Sequence, residues 1–177
     1  MRKLLMVMAG ILAATGVMAG GKPLQVSITP DIALHGRTER IEGLSLSIWG
    51  ENPQTALALG IVNGSTGQSA GLSWALLLNY AENYTGIHWA PINYTKGDFL
   101  GWQAGFVNYA GTMKGLQSGT VNITKRLTGV QFGFLNYAET VDTGLQIGLI
   151  NIIPQNELFT ELPNALAPAM VFVNWRF

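Results

Sequence analysis

The sequence predicts an all-β fold built from one repeated strand, and three observations support this class. The phrases GVQFGFLN (129–136) and GLQIGLIN (144–151) share Gly, Gln, Gly and Asn at the same offsets. Glycine supplies 22 of the 177 residues, while Asp, Glu, Lys and Arg together supply only 11%. Ordinary soluble proteins carry about 25% charged residues. Low charge, high glycine content and alternating apolar residues therefore favour β structure over helix.

The N-terminal segment has the pattern of a secretory signal peptide. Arg2 and Lys3 form a basic start, an apolar run follows, and small residues ending at Ala19 provide a cleavage pattern. We expect a signal peptide over residues 1–19 and a single repeat-built β domain over 20–177. The sequence contains no cysteine, so this domain is expected to fold without disulfides.

Ten strands are predicted along the remaining chain. The segments PLQVSITPDIAL (23–34) and RIEGLSLSIWG (40–50) come before the repeats, and APAMVFVNWRF (167–177) closes the chain. Between them lie seven copies with a period of 14 or 15 residues, one copy being a residue longer, at 56–63, 71–79, 86–93, 101–108, 115–122, 129–136 and 144–151. Each copy ends in the same residue, which gives a column of Asn63, Asn79, Asn93, Asn108, Asn122, Asn136 and Asn151.

Within each copy, residues alternate with the period of two that is typical of a strand. We assign the glycines, the Gln and an aliphatic residue to one face of the strand. The other face receives the remaining apolar residues and the Asn, as in Val130, Phe132, Phe134 and Asn136. The six or seven residues between copies hold nearly all the charges of the repeat region, and they are predicted to be polar turns.

These features favour an up-and-down antiparallel β-barrel of about ten strands in an outer membrane. Lipid requires every backbone group to be paired, and closure of a barrel achieves this. The apolar face would contact lipid, and Gly and Gln would fill a narrow lumen. The chain ends on an alternating segment with a terminal aromatic residue, so Val173, Trp175 and Phe177 form a candidate barrel signal.

A β-solenoid with one coil per repeat is the alternative fold. In a solenoid, the recurring Asn would stack at a corner as an internal ladder, and the glycines would permit tight corners.

The long segment 150–168, which carries three prolines, would form a loop or plug in the barrel.

The candidate chemistry lies in a single polar column. Residues at the Gln position of the repeat form a candidate lumen column of Ser73, His88, Gln103, Gln117, Gln131 and Gln146. Ser73 and His88 would be neighbours, but no Asp or Glu in either copy could orient the imidazole. No convergent metal ligands are present in the strand cores, and we expect no cofactor, no metal and no enzymatic activity.

The repeat G-x-Q-x-G-x-x-N-[YI]-A resembles that of a group of uncharacterised surface-repeat proteins of Gram-negative bacteria. The resemblance includes the opening PLQVSITPDIALHGRTERIEGLSLSIWGENPQTALALGIVNG and the ending ELPNALAPAMVFVNWRF, and so covers essentially the whole mature chain. It implies export, a repeat-built β fold and attachment to the outer envelope. The resemblance assigns no catalytic residue to this chain.

We therefore expect a non-enzymatic outer-membrane barrel with a structural, adhesive or narrow-pore role. Outer-membrane lipid and the barrel-assembly machinery would be its partners. The alternative is an exported soluble solenoid, in the periplasm or at the cell surface, that serves as a binding surface for a protein or glycan. An envelope lipid-modifying enzyme using Ser73 and His88 is a minor alternative. The net charge of zero gives no basic footprint for nucleic acid.

Overall fold

The computed structural model describes residues 20–177, which wind into a β-solenoid. The predicted signal peptide lies outside the described residues. Six strands form one sheet in the order β2-β1-β3-β4-β5-β6. Their bounds are β1 Lys22–Thr29, β2 Ile32–Ala33, β3 Ile41–Asn52, β4 Gln54–Trp89, β5 Ile92–Ile152 and β6 Ala169–Arg176. The all-β prediction is confirmed.

The coils of the solenoid stack in parallel and in register. β3 pairs in parallel with β4, and β4 pairs in parallel with β5. Equivalent repeat positions face each other across the β4–β5 pairing, including Asn79 with Asn93 and His88 with Gln103. β4 spans 36 residues and β5 spans 61, because extended backbone continues around the corners from one coil to the next.

The antiparallel barrel prediction is wrong, and the solenoid alternative matches the structure. Segments predicted as turns between copies, such as 109–114 and 123–128, are themselves extended. Each segment forms the other side of a coil and returns the chain to its starting side, so the next copy runs in the same direction as the last. A hairpin barrel requires the chain to reverse at each of these points.

The predicted assignment of strand faces is also wrong at one corner of the coil. The two residues before each repeat Asn, such as Phe134 and Leu135, both stay outside, and this breaks the strict alternation. As a result, Gln131 and Asn136 are both buried inside the same coil. Strict alternation predicts these two columns on opposite faces of the strand.

Glycine is required where neighbouring coils approach most closely. Gly101 has a φ of +135°, and a Cβ built on it would lie 2.0 Å from the carbonyl oxygen of Gly86. The next glycine of the same copy, Gly105, has an ordinary φ, but its Cβ would lie 2.0 Å from the carbonyl oxygen of Ala90. Direct backbone contact between coils, combined with a left-handed φ at the first position, explains why glycine recurs at these two positions of the repeat.

Antiparallel segments cover both ends of the solenoid. The short β2 pairs with β1 at the N-terminal end. β6 pairs with the last coil, so that Val173 lies opposite Ile147 and Trp175 opposite Leu145, while Phe177 stays exposed. Val173 and Trp175 of the candidate barrel signal thus lie on the last strand of a solenoid, and Phe177 follows that strand. The preceding segment 153–168 packs Ile153 and Ala165 into the interior.

We expect Gly101→Ala to reduce the free energy of unfolding by about 4 kcal/mol or more, or to prevent folding. The added methyl group meets a carbonyl oxygen at a φ that side chains rarely adopt. Gly36→Ala is the matched control, because a Cβ there has no neighbour within 4 Å. Urea unfolding followed by circular dichroism measures both changes, and equal stability of the two variants would contradict this account of the glycine column.

Candidate functional site

The predicted polar column forms a hydrogen-bonded ladder inside the solenoid. Gln117 donates to Gln103 at 2.8 Å, Gln131 to Gln117 at 2.8 Å, and Gln146 to Gln131 at 2.7 Å. The second proton of each Nε2 group goes to a backbone carbonyl six residues later, as from Gln131 to Tyr137 at 3.1 Å. All four side chains are fully buried. The ladder leaves each interior Nε2 group fully paired without water.

The Asn column forms a second ladder, which runs in the other direction. Each Nδ2 group donates to the Oδ1 atom of the following Asn, with distances of 2.8–3.0 Å from Asn79 onward and 3.4 Å between Asn63 and Asn79. The second proton of Asn122 goes to the carbonyl oxygen of Phe132 at 3.0 Å. Ser47 begins the ladder by donating to Asn63 at 2.9 Å. The Asn ladder therefore connects every copy of the repeat.

Ser73 and His88 lie in the Gln column but do not take part in its ladder. The Ser73 hydroxyl donates to Asn79 at 2.8 Å and belongs instead to the Asn ladder. The His88 ring packs against both Tyr84 and Phe99, with ring centroids at 4.1 and 5.1 Å. Neither ring nitrogen has a hydrogen-bond partner, and burial lowers the pKa of His88 to about 3. The imidazole is therefore neutral at physiological pH.

Neither candidate catalytic residue of the minor alternative is accessible from outside. Ser73 and His88 are both 0% exposed. The described residues also contain no group of three or more His, Cys, Asp or Glu side chains placed to hold a metal. The internal columns thus stabilise the fold, and only the outside of the coils is accessible to other molecules.

One part of the outer surface is apolar along the whole repeat region, and we call it the apolar arc. It consists of repeat positions 2, 4, 6 and 7, where position 1 is the first residue of each copy, and it includes the one extra leucine of the longer copy. Across the seven copies none of these residues is ionisable, and none is fully buried. Its most exposed aromatic residues include Trp89 at 59%, Phe106 at 68% and Phe132 at 58%.

An open groove of about 530 Å³ lies within the apolar arc. Trp74 and Trp89 line it at position 4, and Leu76 and Phe106 line it at position 6. Its floor contains the small residues at position 5, including Gly105. The requirement for small residues where coils touch therefore also creates the concavity between the two apolar walls.

The remaining outer surface of each coil carries the charged residues, and we call it the polar arc. Between the first and last copies it holds four basic and four acidic residues, namely Lys96, Lys114, Lys125, Arg126, Glu82, Asp98, Glu139 and Asp142. Arg126 and Asp142 form an ion pair at 3.1 Å. Further ion pairs lie at the ends of the solenoid, including Arg176 with Glu161 at 2.5 Å. The solenoid is thus amphipathic about its long axis.

The alternating pattern of the repeat predicted the two polar columns but not the full outer surface. It placed the aliphatic residue before each Asn on the same face as Gln, whereas Val107 and Ile150 at this position are exposed. No local signal marks this exposure, because ionisable residues are absent from position 7 and equally absent from the buried Asn position.

No family model, curated protein or solved structure matches this chain. Within residues 20–177, no helix has the length and apolar character needed to cross a membrane.

We expect Asn122→Asp to destabilise the protein by about 3–5 kcal/mol at neutral pH. The substitution places a carboxylate where Nδ2 now donates to Asn136 and Phe132, so a buried negative charge would face two acceptors. Asn164→Asp makes the same chemical change at an exposed site and is expected to alter stability by less than about 0.5 kcal/mol. Chemical denaturation at pH 7 tests the difference, and similar losses in both variants would show that the ladder does not stabilise the fold.

We also expect His88 to make the protein less stable in acid. Its folded-state pKa of about 3 lies below the ordinary value of 6.5, so the unfolded chain binds the proton more readily. The contribution of neutral His88 to the free energy of unfolding is fully present above pH 6.5 and is lost as the pH falls toward 3. Between pH 7.5 and 4.5 the loss is about 2–3 kcal/mol.

His88→Gln removes this titration and allows the buried column to continue with another amide. Unfolding midpoints in urea at pH 7.5 and 4.5, measured for wild type and variant, isolate the contribution of this residue. Parallel pH profiles for the two proteins would contradict the expected coupling.

Proposed function

We propose that the protein is a non-catalytic β-solenoid whose apolar arc is a binding surface. The observation that carries this proposal is the continuous run of exposed apolar positions along seven copies of the repeat. Monomeric soluble proteins rarely expose large contiguous apolar surfaces, and such surfaces commonly mark sites of interaction.

The distribution of charge supports the assignment of this side of the coil as the contact surface. Every Asp, Glu, Lys and Arg residue between the first and last copies lies on the polar arc. A partner on the apolar arc therefore meets no charge that it would have to desolvate, while the polar arc stays in water. Export from the cytoplasm and attachment to the outer envelope, which the resemblance implies, are part of the same proposal.

The burial of the polar columns supports a binding role over catalysis. Gln and Asn side chains pair with each other and with backbone groups, and they are inaccessible. The groove next to Trp89 and Phe106 presents apolar side chains and small residues, with the hydroxyl of Thr120 at its margin. Such a surface can hold an apolar partner but offers no acid or base, and so no group that could activate the hydroxyl of Thr120.

Footprinting in cells tests whether the apolar arc is occupied. We expect Trp89 and Phe106 to be oxidised by hydroxyl radicals much less in cells expressing the full chain than in the dilute purified protein. Lys96 and Lys114 on the polar arc are the controls, and their reaction with an amine-specific reagent should be similar in both samples. Equal oxidation of the two aromatic residues in cells and in isolation would overturn the proposal.

A further inference from the structure

We propose that the apolar arc rests on a lipid surface, so that the solenoid lies along a membrane with its polar arc in water. This inference rests on the proposed binding role of the arc and assigns its partner. Amphipathic elements that lie in a membrane interface combine an apolar side with a polar side in this way.

The first reason is the chemistry of the outward side chains. Positions 2, 4, 6 and 7 contain no ionisable residue, and among the copies only Ser118 and Thr120 interrupt their apolar character. Ser118 accepts a hydrogen bond from Trp102 at 2.7 Å, so it is already paired. Interfaces between proteins usually add a polar rim and about one hydrogen bond per 100–200 Å². Hydrocarbon chains require neither.

The second reason is the direction of the backbone hydrogen bonds. In-register parallel pairing directs the N–H and C=O groups of β3, β4 and β5 toward neighbouring coils, along the axis of the solenoid. Within residues 20–177, the edges of the sheet lie at the two ends, where β2 and β6 add antiparallel strands. Lipid does not tolerate unpaired backbone groups, and the sides of this solenoid satisfy that requirement while its ends do not.

The shape of the arc favours lipid over a second copy of the chain. The arc bends at the small residues of position 5, such as Gly105, so Trp89 and Phe106 stand on separate walls of the groove. A rigid copy docked against one wall would leave the other exposed to water. Acyl chains are flexible and can follow both walls and the groove between them.

The balance of charge on the polar arc indicates which lipid headgroups are sufficient for membrane binding. Four basic and four acidic residues lie between the first and last copies, so the arc has no excess of cations to attract anionic headgroups. Binding should therefore occur on neutral membranes, and added salt should not weaken it, because no attraction between opposite charges contributes to it.

Flotation with phosphatidylcholine vesicles tests the inference. The exported protein, purified from cells expressing the full chain, should rise with the vesicles at both low and high salt. Phe106→Gln removes the most exposed aromatic residue of the repeat region from the arc and should weaken partitioning about tenfold. Lys114→Gln introduces the same residue on the polar arc and should leave partitioning unchanged. Circular dichroism verifies that both variants are folded.

The orientation of the bound solenoid is tested with lipids brominated along their acyl chains, which quench nearby tryptophan fluorescence. One protein keeps only Trp89, with phenylalanine at the four other tryptophan positions. The other replaces all five tryptophans and carries Lys114→Trp. We expect strong quenching of Trp89 and weak quenching of the tryptophan at position 114. Equal quenching at the two positions would overturn the proposed orientation.

Flotation and footprinting in cells together distinguish a failure of the lipid inference from a failure of the proposed binding role. Absence of flotation, with Trp89 still protected in cells, would exclude lipid as the partner and leave a binding role for the arc. A concentration-dependent dimer without flotation would assign the arc to a second copy and overturn the lipid inference. Loss of both flotation and protection in cells would overturn the proposed function as well.

Discussion

The structure depends on direct contact between stacked coils, which lie about 4.8 Å apart in a β-sheet. At that spacing, equivalent residues of successive copies become neighbours, so a repeat in the sequence becomes a column in space. Gly101 lies against the backbone of Gly86 because no side chain fits between them. The Asn and Gln columns use the same spacing, since it brings amide oxygen and amide nitrogen within hydrogen-bond distance. Register and interior composition follow from this one constraint.

Polar amides occupy the interior of this solenoid, while many large apolar residues remain outside. The arrangement is stable where each buried amide is paired, because an unpaired polar group would cost about 1–3 kcal/mol. The narrow coil has room for an apolar column as well, including Phe99, Met113 and Leu127, but not for the remaining Leu, Ile, Phe and Trp residues. Those residues form the apolar arc. The same packing that pairs the polar interior therefore creates the apolar arc, and the interior and the arc are coupled through the backbone.

Local patterns predicted much of the fold. Alternating residues around Gln131 gave extended backbone, and the recurring Asn gave the columns and the ladder of the solenoid alternative. The direction of the strands could not be read in the same way, because segments such as 109–114 look equally suitable for a hairpin turn or for the far side of a coil. The aromatic ending at Phe177 also favoured a barrel, although β6 is a single antiparallel strand on the last coil. Parallel and antiparallel stacking differ in long-range pairing, which a local pattern does not encode.

The sequence by itself determined the period of the repeat, the separation of charged from apolar segments, and the β character of the chain. Only the tertiary structure decided that Gln131 and Asn136 share one interior, because this depends on the corner at Phe134 and Leu135, where two consecutive residues turn outward. It also decided that His88 is enclosed by Tyr84 and Phe99, and that Trp89 and Phe106 line one groove. These contacts join residues of different coils or opposite sides of a bend, so they exist only once the chain has wound around its own axis.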